Sequence, residues 1–238
     1  MFDGILLIGL TGAGKTPLGN YIEKYGWQNK KAYHFDFGEN LRALCVTHQE
    51  CSISNDLKPD CLTKHAQTIV TPAETEYLYS LLQEGKLLDE AHNYLIEKVF
   101  NFFCMNKNIS IPDFTEKKNY YPPPHLTGTK PLIVVNGVPR NVAQISVIDR
   151  FITIQSVIYL AADQECIYTR INQNCGGDRA ARTDDQLDLV KKKISIFRKN
   201  TLPVLDAFRA KGISVITVPV TETTAPEEIF LFSINTTK

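Results

Sequence analysis

The stretch GLTGAGKT, residues 9–16, follows the apolar run ILLI of residues 5–8 and precedes a helical pattern. Its spacing, Gly-x4-Gly-Lys-Ser/Thr, is that of a phosphate-binding loop between a strand and a helix. Glycines let backbone N–H groups turn inward around phosphate oxygens, and the following helix points the positive end of its dipole at them. The residues expected to hold the phosphates of a nucleoside triphosphate such as ATP are Gly9, Gly12, Ala13, Gly14, Lys15 and Thr16.

Two side chains of this loop carry chemistry of their own. Lys15 supplies a mobile positive charge for the outer phosphates, and the Thr16 hydroxyl can reach a phosphate or its magnesium ion. The alternative, a chance glycine-rich turn, does not account for the strand before it and the helix after it. The loop by itself does not separate a small-molecule kinase from a GTPase or a motor ATPase.

Short apolar runs elsewhere in the chain predict the rest of the fold. They lack polar alternation, as expected for strands covered on both faces, and helical patterns fall between them. This arrangement predicts an α/β protein with an open, doubly wound parallel sheet of about five strands and helices on both faces. The predicted strands are residues 5–8, 132–135, 156–160 and 213–218, with a weaker one at Ala32–Asp36.

The clearest helix follows Asp184, which we expect to be its N-cap. Apolar residues recur there at three- and four-residue steps and predict one buried helix face, made of Leu187, Val190, Ile194 and Phe197. Pro203 should kink or break this helix, and Gly212 should end the helical stretch before the last strand.

Composition excludes several functional classes. Of 238 residues, 43% are apolar and 22% charged, and the Lys+Arg and Asp+Glu counts are both 26, so the formal net charge is zero. That balance gives no general attraction to nucleic acid or to an anionic membrane. No run has the length of a signal peptide or membrane span, and the six cysteines are scattered. We expect a cytoplasmic monomer with reduced thiols and neither nucleic-acid nor membrane partners.

A second motif follows a predicted strand, in the stretch LIVVNGVPRNVAQ of residues 132–144. The strand ends in a polar residue, then a Gly, a Pro and an Arg. Ligands bind at the carboxyl ends of strands in open α/β sheets, and an Arg there suits a phosphate.

With this motif the sequence resembles the adenylate kinase family, whose pattern reads D-G-F/V-P-R-x3-Q. The resemblance implies that Gly137 and Arg140 contact the acceptor monophosphate and that Gln144 reads the adenine of AMP. Asn136 stands where the family has an Asp that orders the water shell of Mg²⁺. Asn keeps an acceptor oxygen, through which it would act via water, but it loses the negative charge.

Two further segments follow in the family's order. FGENLR, residues 37–42, resembles the pattern S/T-G-D-x-L-R, which implies that Gly38 lines the AMP site and that Arg42 is a second ligand of the acceptor phosphate. Phe37 replaces the hydroxyl residue of that pattern. GKLLDE, residues 85–90, resembles the segment whose backbone lines the AMP base pocket and implies a contact from Leu88.

The resemblance also implies a lid. Arg170 matches the first Arg of the lid boundary, whereas the second is Asn174 here; Arg182 matches the R-x-D-D pattern that closes the lid, and Lys193 stands where another Arg is usual. These cations would converge on the transferring phosphate. The alternative is that these cations are ordinary solvated surface charges. This alternative applies most to Lys193, which lies in the lysine run of residues 191–193. Cys175 is alone in this region, so we expect no structural zinc in the lid.

The resemblance therefore implies one P-loop kinase domain over residues 1–238. Within it lie a monophosphate-binding region at 37–105, a loop insertion at 106–130 and a short lid at 174–183. A further insertion covers about residues 46–70. It overlaps a stretch rich in Cys and His, and the spacing of these residues would allow them to bind zinc. That stretch has no Cys-x2-Cys pair, however, and buried free thiols are the simpler explanation. Its members are Cys45, His48, Cys51, Cys61 and His65.

The implied reaction is transfer of the ATP γ-phosphoryl group to AMP, with Mg²⁺ bridging the donor phosphates. Three alternatives stay open. Asn141 after Arg140 also occurs in pyrimidine monophosphate kinases, although Gln144 favours adenine. The changes at Phe37, Asn136 and Asn174 would also fit a catalytically weak nucleotide-binding module. The third alternative is a kinase whose enlarged acceptor region takes another small molecule.

Overall fold

A sheet of five parallel strands is the framework of the protein. The computed structural model describes residues 1–53, 69–109, 131–177 and 187–236. The strands pair in the order β2-β3-β1-β4-β5, all of them parallel, which confirms the predicted α/β class. Their bounds are β1 (Phe2–Gly9), β2 (Ala32–Asp36), β3 (Leu132–Asn136), β4 (Ile152–Ala161) and β5 (Ser214–Pro219).

Burial along the strands follows their place in the sheet. All five residues of β3 are buried, as are all but one of β1, because these strands have neighbours on both sides and helices over them. The last strand differs from the expectation of cover on both faces. β5 lies at the sheet edge, and its Ser214, Thr217 and Pro219 are exposed while Ile216 and Val218 are buried.

Helices flank this sheet. The first follows the phosphate loop directly, and the third begins at Thr71 with a capping box that Glu74 completes. Short 3-10 turns lie at Glu90–His92 and Val142–Gln144. The helix bounds are α1 (Lys15–Tyr25), α2 (Phe37–Ile53), α3 (Pro72–Glu84), α4 (Leu95–Asn106), α5 (Ile145–Ile148), α6 (Gln164–Asn172), α7 (Leu187–Ile196), α8 (Leu202–Ala210) and α9 (Pro226–Thr236).

An aromatic cluster joins α4 to the sheet. The Phe35 ring of β2 lies 5.2 Å from that of Phe100 and 5.1 Å from that of Phe103, and Phe100 stacks on Phe151 at 4.6 Å. Phe35, Phe100 and Phe103 are almost fully buried. Truncating one of them to Ala should cost about 3–5 kcal/mol of stability, because the cavity left behind cannot close completely. The cluster therefore fixes the position of β2, whose carboxyl end reaches the candidate site.

The predicted apolar helix face after residue 184 is correct in part. Val190, Ile194 and Phe197 are buried, but Leu187 is 55% exposed because it opens α7 before the helix reaches the core. The helical stretch continues through Pro203 to Ala210. It widens into a π turn at Phe197–Thr201, and Pro203 lies in the first turn of α8, where its missing N–H costs little. α8 ends at Ala210, shortly before Gly212.

Several predicted features lie outside the described residues. They include Arg182, the N-cap Asp184, residues 178–183 of the lid, and most of both insertions, with Cys61 and His65 of the Cys/His-rich stretch. Within the described parts of the chain, no helix has both the length and the apolarity needed to cross a membrane.

Candidate nucleotide-binding site

The loop of residues 9–16 has the backbone geometry that its glycines predict. Gly12 and Gly14 have φ angles of 82° and 103°, in the left-handed region that residues with a side chain rarely adopt. α1 starts at Lys15, so its first N–H groups face the loop. A Cβ on Gly14 would lie 3.3 Å from Nη2 of Arg170, so a side chain at this position would also crowd that guanidinium.

Lys15 lies across the loop. Its Nζ donates hydrogen bonds to the carbonyl oxygens of Gly9 and Leu10, both at 2.8 Å. Ala13 differs from the other loop residues, because its side chain is fully buried and its N–H donates to the carbonyl of Leu10 at 3.2 Å. Lys15 thus holds a positive charge at the loop, whereas Ala13 serves its internal packing.

A polar cluster lies where β2 and β3 end, and its centre is Asp36. The Oδ2 atom of Asp36 accepts hydrogen bonds from the Thr16 hydroxyl and from Nδ2 of Asn136, both at 2.7 Å. Its Oδ1 atom accepts one from the backbone N–H of Glu39 at 3.0 Å. Asp36 and Asn136 are partners in the parallel register, so their side chains emerge side by side. The cluster joins the first residues of α1 to both strands.

The protonation states in this cluster follow from its contacts. Burial by itself would raise the pKa of the Asp36 carboxyl, but the charge interaction with His34 and the hydrogen bonds from Thr16 and the Glu39 amide outweigh it and hold the pKa below its usual value. Burial lowers the pKa of His34, whose Nδ1 lies 2.8 Å from Oδ1 of Asn20. These contacts keep the Asp36 carboxyl ionised at neutral pH.

Sequence reasoning did not find Asp36. It is the last residue of β2, just as Asn136 is the last residue of β3. Ligands bind at the carboxyl ends of parallel strands in α/β sheets, so the position of Asp36 at the end of a predicted strand could have identified it.

Two predicted acceptor-site arginines line the same cavity as the phosphate loop. Arg140 is exposed, and its Nε donates to the carbonyl of Gly137 at 3.0 Å, while Gly137 has a φ of 87° that favours glycine. Arg42 projects from the first turns of α2 beside Gly38, whose ideal Cβ would lie 3.5 Å from Nη1 of Arg42. Both positive charges therefore lie at the carboxyl edge of the sheet, facing the loop.

Arg170 reaches the cavity from α6, but its donors bind within the protein. It is 4% exposed, and its Nε donates to the carbonyl of Gly12 at 3.1 Å. Its Nη1 donates to the carbonyls of Thr221, Glu222 and Thr224 at 2.6–3.2 Å. The described contacts therefore make Arg170 a clamp on the phosphate loop, and its action on a transferring phosphate stays a prediction.

Gln144 lines the cavity and is 1% exposed. Its Oε1 accepts from the backbone N–H of Arg140 at 2.7 Å, and its Nε2 donates to Oδ1 of Asn93 at 3.2 Å. An amide nitrogen carries two hydrogens and an amide oxygen two lone pairs, so each end keeps one further hydrogen-bonding position. Base reading by Gln144 therefore depends on these second positions.

One cavity collects almost all predicted site residues that the structure describes. Lys193 reaches it from α7, Arg170 from α6, and Leu88 from the segment after α3. Gly38 and Arg42 reach it from α2, and the other residues belong to the phosphate loop or to the segment that begins at the end of β3. Arg182 lies outside the described residues. The predicted residues that line the cavity are Gly9, Gly12, Gly14, Lys15, Thr16, Gly38, Arg42, Leu88, Asn136, Gly137, Arg140, Gln144, Arg170 and Lys193.

Comparison with known proteins gives several similarities to adenylate kinases. The chain is 23% identical over 141 residues to an adenylate kinase of Caldanaerobacter subterraneus subsp. tengcongensis, covering 47% of this chain and 64% of that protein. It is 30% identical over 88 residues to that of Parvibaculum lavamentivorans, covering 33% and 42%. It is 26% identical over 88 residues to that of Bifidobacterium longum, covering 35% and 46%.

These similarities are low in identity and partial in extent. The chain spans about half the length of the curated relatives it matches. No family model matches the chain. The similarity to adenylate kinases therefore supports a kinase of this kind without fixing its substrate.

Proposed function

We propose that the protein is a divergent member of the adenylate kinase family that transfers the γ-phosphoryl group of ATP to AMP. The observation that carries this proposal is the single cavity in which the phosphate loop faces Arg42 and Arg140. A donor site and an acceptor-phosphate site that share one cavity are what direct transfer between two phosphate-bearing substrates requires. The similarity to adenylate kinases supports the same reaction.

The residues of the chain would act by positioning and by charge. Backbone N–H groups of the loop and Lys15 hold the donor phosphates, and Arg42 and Arg140 hold the phosphate of the acceptor. Lys193 lines the same cavity, where it can offset charge that spreads over the transferring group. Arg182 would join them as the lid closes over the substrates and excludes water.

The donor set near the loop fits Mg²⁺, which prefers oxygen ligands. The Thr16 hydroxyl lies on the cavity wall and would hold the ion together with substrate phosphates. When bound, Mg²⁺ would neutralise part of the negative charge of the donor phosphates. Asn136 turns its amide nitrogen toward Asp36, which leaves its amide oxygen for a water-mediated contact.

We propose adenine, rather than a pyrimidine, as the base of the acceptor. The Asn141 side chain, which would favour a pyrimidine acceptor, accepts a hydrogen bond from the backbone N–H of Gln144 at 3.0 Å and so caps the turn at Val142–Gln144. Asn141 therefore has a structural task, and Gln144 remains the residue that lines the cavity.

The test is an acceptor screen. The purified protein is incubated with Mg-ATP and, separately, AMP, GMP, CMP, UMP or dTMP, and ADP formation is followed. We expect AMP to be phosphorylated, and Lys15→Ala to lower turnover by about 10²–10³-fold, the usual cost of losing a donor that stabilises transition-state charge. Lys24→Ala, an exposed lysine of the same helix, is the matched control and should leave turnover unchanged.

Other results would change the proposal. Normal turnover by Lys15→Ala would remove the phosphate loop from the mechanism. ATP binding without turnover of any acceptor would favour a nucleotide-binding module or a kinase with another acceptor.

A further inference from the structure

Asp36 and Asn136 end neighbouring strands side by side, and their chemistry is the reverse of what the sequence resemblance implies. The carboxylate stands at the end of β2, and the neutral amide stands at the end of β3. We propose that Asp36 supplies the negative charge of the Mg²⁺ site and that Asn136 orients it. This inference rests on the proposed function, since it concerns the metal of the same cavity.

The first argument is an uncompensated charge. Asp36 is 6% exposed, and the groups that donate hydrogen bonds to its carboxylate, a hydroxyl, an amide and a backbone N–H, are all neutral. In the described part of the chain no Lys or Arg nitrogen forms an ion pair with this carboxylate. A buried charge is costly unless an opposite charge compensates it. A divalent cation on the cavity side would provide that compensation.

The second argument is the position of Asp36 relative to Thr16. The Thr16 hydroxyl donates to Oδ2 of Asp36 at 2.7 Å, so the loop hydroxyl and the carboxylate form one oxygen-rich patch on the cavity wall. Hydroxyl and carboxylate oxygens are the kind of ligand that Mg²⁺ takes beside substrate phosphates. The patch therefore lies where a donor phosphate and its metal ion would meet.

The third argument concerns the task of Asn136. An ionised carboxylate only accepts hydrogen bonds, so the atom of Asn136 that faces Asp36 must be its nitrogen. The same nitrogen lies 3.2 Å from the Thr16 hydroxyl oxygen. A carboxylate at position 136 would place two like charges within hydrogen-bond distance of each other. The amide at 136 instead donates a hydrogen bond to the carboxylate of Asp36.

The experiment measures how much Mg²⁺ tightens binding of a non-hydrolysable ATP analogue. Calorimetry gives Kd with and without Mg²⁺ for the wild type, Asp36→Asn, Asn136→Asp and the double exchange Asp36→Asn/Asn136→Asp. We expect Asp36→Asn to reduce the Mg²⁺-dependent tightening by about 10–100-fold, as for other partners of a metal site. The double exchange should restore most of it. Asp149→Asn, an exposed carboxylate paired with Lys211, is the matched control.

The outcomes separate this inference from the proposed function. If the wild type binds no ATP analogue, the proposed function fails. If it binds and Asp36→Asn keeps the full Mg²⁺ effect, the role of Asp36 is wrong while the proposed function stands. Asn136→Asp alone should lose stability rather than bind metal more tightly.

A measurement on the wild type covers the case in which Asp36→Asn does not fold. With Mn²⁺ and the ATP analogue bound, the carboxyl ¹³C resonance of Asp36 should broaden strongly, while that of Asp149 should not. An unbroadened Asp36 signal would overturn the inference.

Discussion

The Nε atom of Arg170 donates a hydrogen bond to the carbonyl oxygen of Gly12 at 3.1 Å and so ties α6 to the phosphate loop. The same guanidinium also binds carbonyls of the turn that follows β5, at residues 221–224. Because these acceptors belong to segments far apart in the chain, Arg170 couples the loop to the C-terminal part of the fold. Its planar fork of five N–H donors suits this role better than a lysine.

We therefore expect Arg170→Ala to be destabilising as well as to weaken nucleotide binding. The change leaves several carbonyls without their donor, and the expected loss in the free energy of unfolding is about 2–4 kcal/mol. Urea unfolding and calorimetry with ATP would measure the two effects. Arg198→Ala, which removes an exposed arginine with a 3.3 Å contact to Gln164, should change neither. If Arg170→Ala leaves the free energy of unfolding unchanged, the hydrogen bonds of Arg170 do not stabilise the fold.

Arg42 and Arg140 are expected to act on the acceptor. Either substitution by Ala should raise the KM for AMP by about 10–100-fold, since a charge-assisted hydrogen bond contributes about 1.5–3 kcal/mol. The Kd for ATP in the absence of AMP should change little, because the donor phosphates are expected to bind the loop of residues 9–16 rather than these two arginines. Steady-state kinetics and equilibrium ATP binding would separate the two quantities.

A matched control for these arginines is Arg150→Ala. Arg150 is exposed and pairs with Glu97 at 2.8 Å, and it does not line the cavity. An equal rise in KM for this control would point to a general charge effect. A loss of ATP affinity with unchanged KM for AMP would reverse the proposed assignment of donor and acceptor sides.

Glu74 should make the stability of the protein depend on pH. Burial would raise its pKa, but hydrogen bonds from Lys98, the Thr71 amide and Tyr94 hold the pKa at about 2, against a usual value of 4.5. The Glu74 carboxylate lies 2.8 Å from Nζ of Lys98 and completes the capping box of α3. A carboxyl whose pKa is lower in the folded state stabilises it above the unfolded value and loses that effect as pH falls.

We expect Glu74→Gln to lower the free energy of unfolding at pH 7 by about 1–3 kcal/mol. The difference from the wild type should shrink as pH falls from about 4.5 toward 2, since the wild-type carboxyl then becomes protonated as well. Urea unfolding at several pH values would measure it. Glu76→Gln, an exposed position in the same helix, should show no such difference. If the difference in the free energy of unfolding between Glu74→Gln and the wild type stays constant over this pH range, the charge of Glu74 does not stabilise the protein.

The fold was predictable because its signals are local. Residues 132–135 are apolar without alternation, and such a run needs no distant partner to identify it as a buried strand. Burial at Leu187 and in β5 was predicted less well. Whether an apolar residue is covered depends on which elements reach it, and neither the start of a helix nor the sheet edge is marked in its own sequence.

The sequence by itself determined the phosphate loop and the α/β class, because spacing along the chain fixes a strand, a turn and a helix in succession. Only the tertiary structure decided which groups meet in the cavity. Asp36 and Asn136 are 100 positions apart, and the parallel pairing of β2 with β3 places their side chains in contact. Arg170 and Gly12 are 158 positions apart and meet because the fold brings α6 next to the phosphate loop. Charge and hydrogen bonding act through space, so the electrostatics of the site follow from strand order and register.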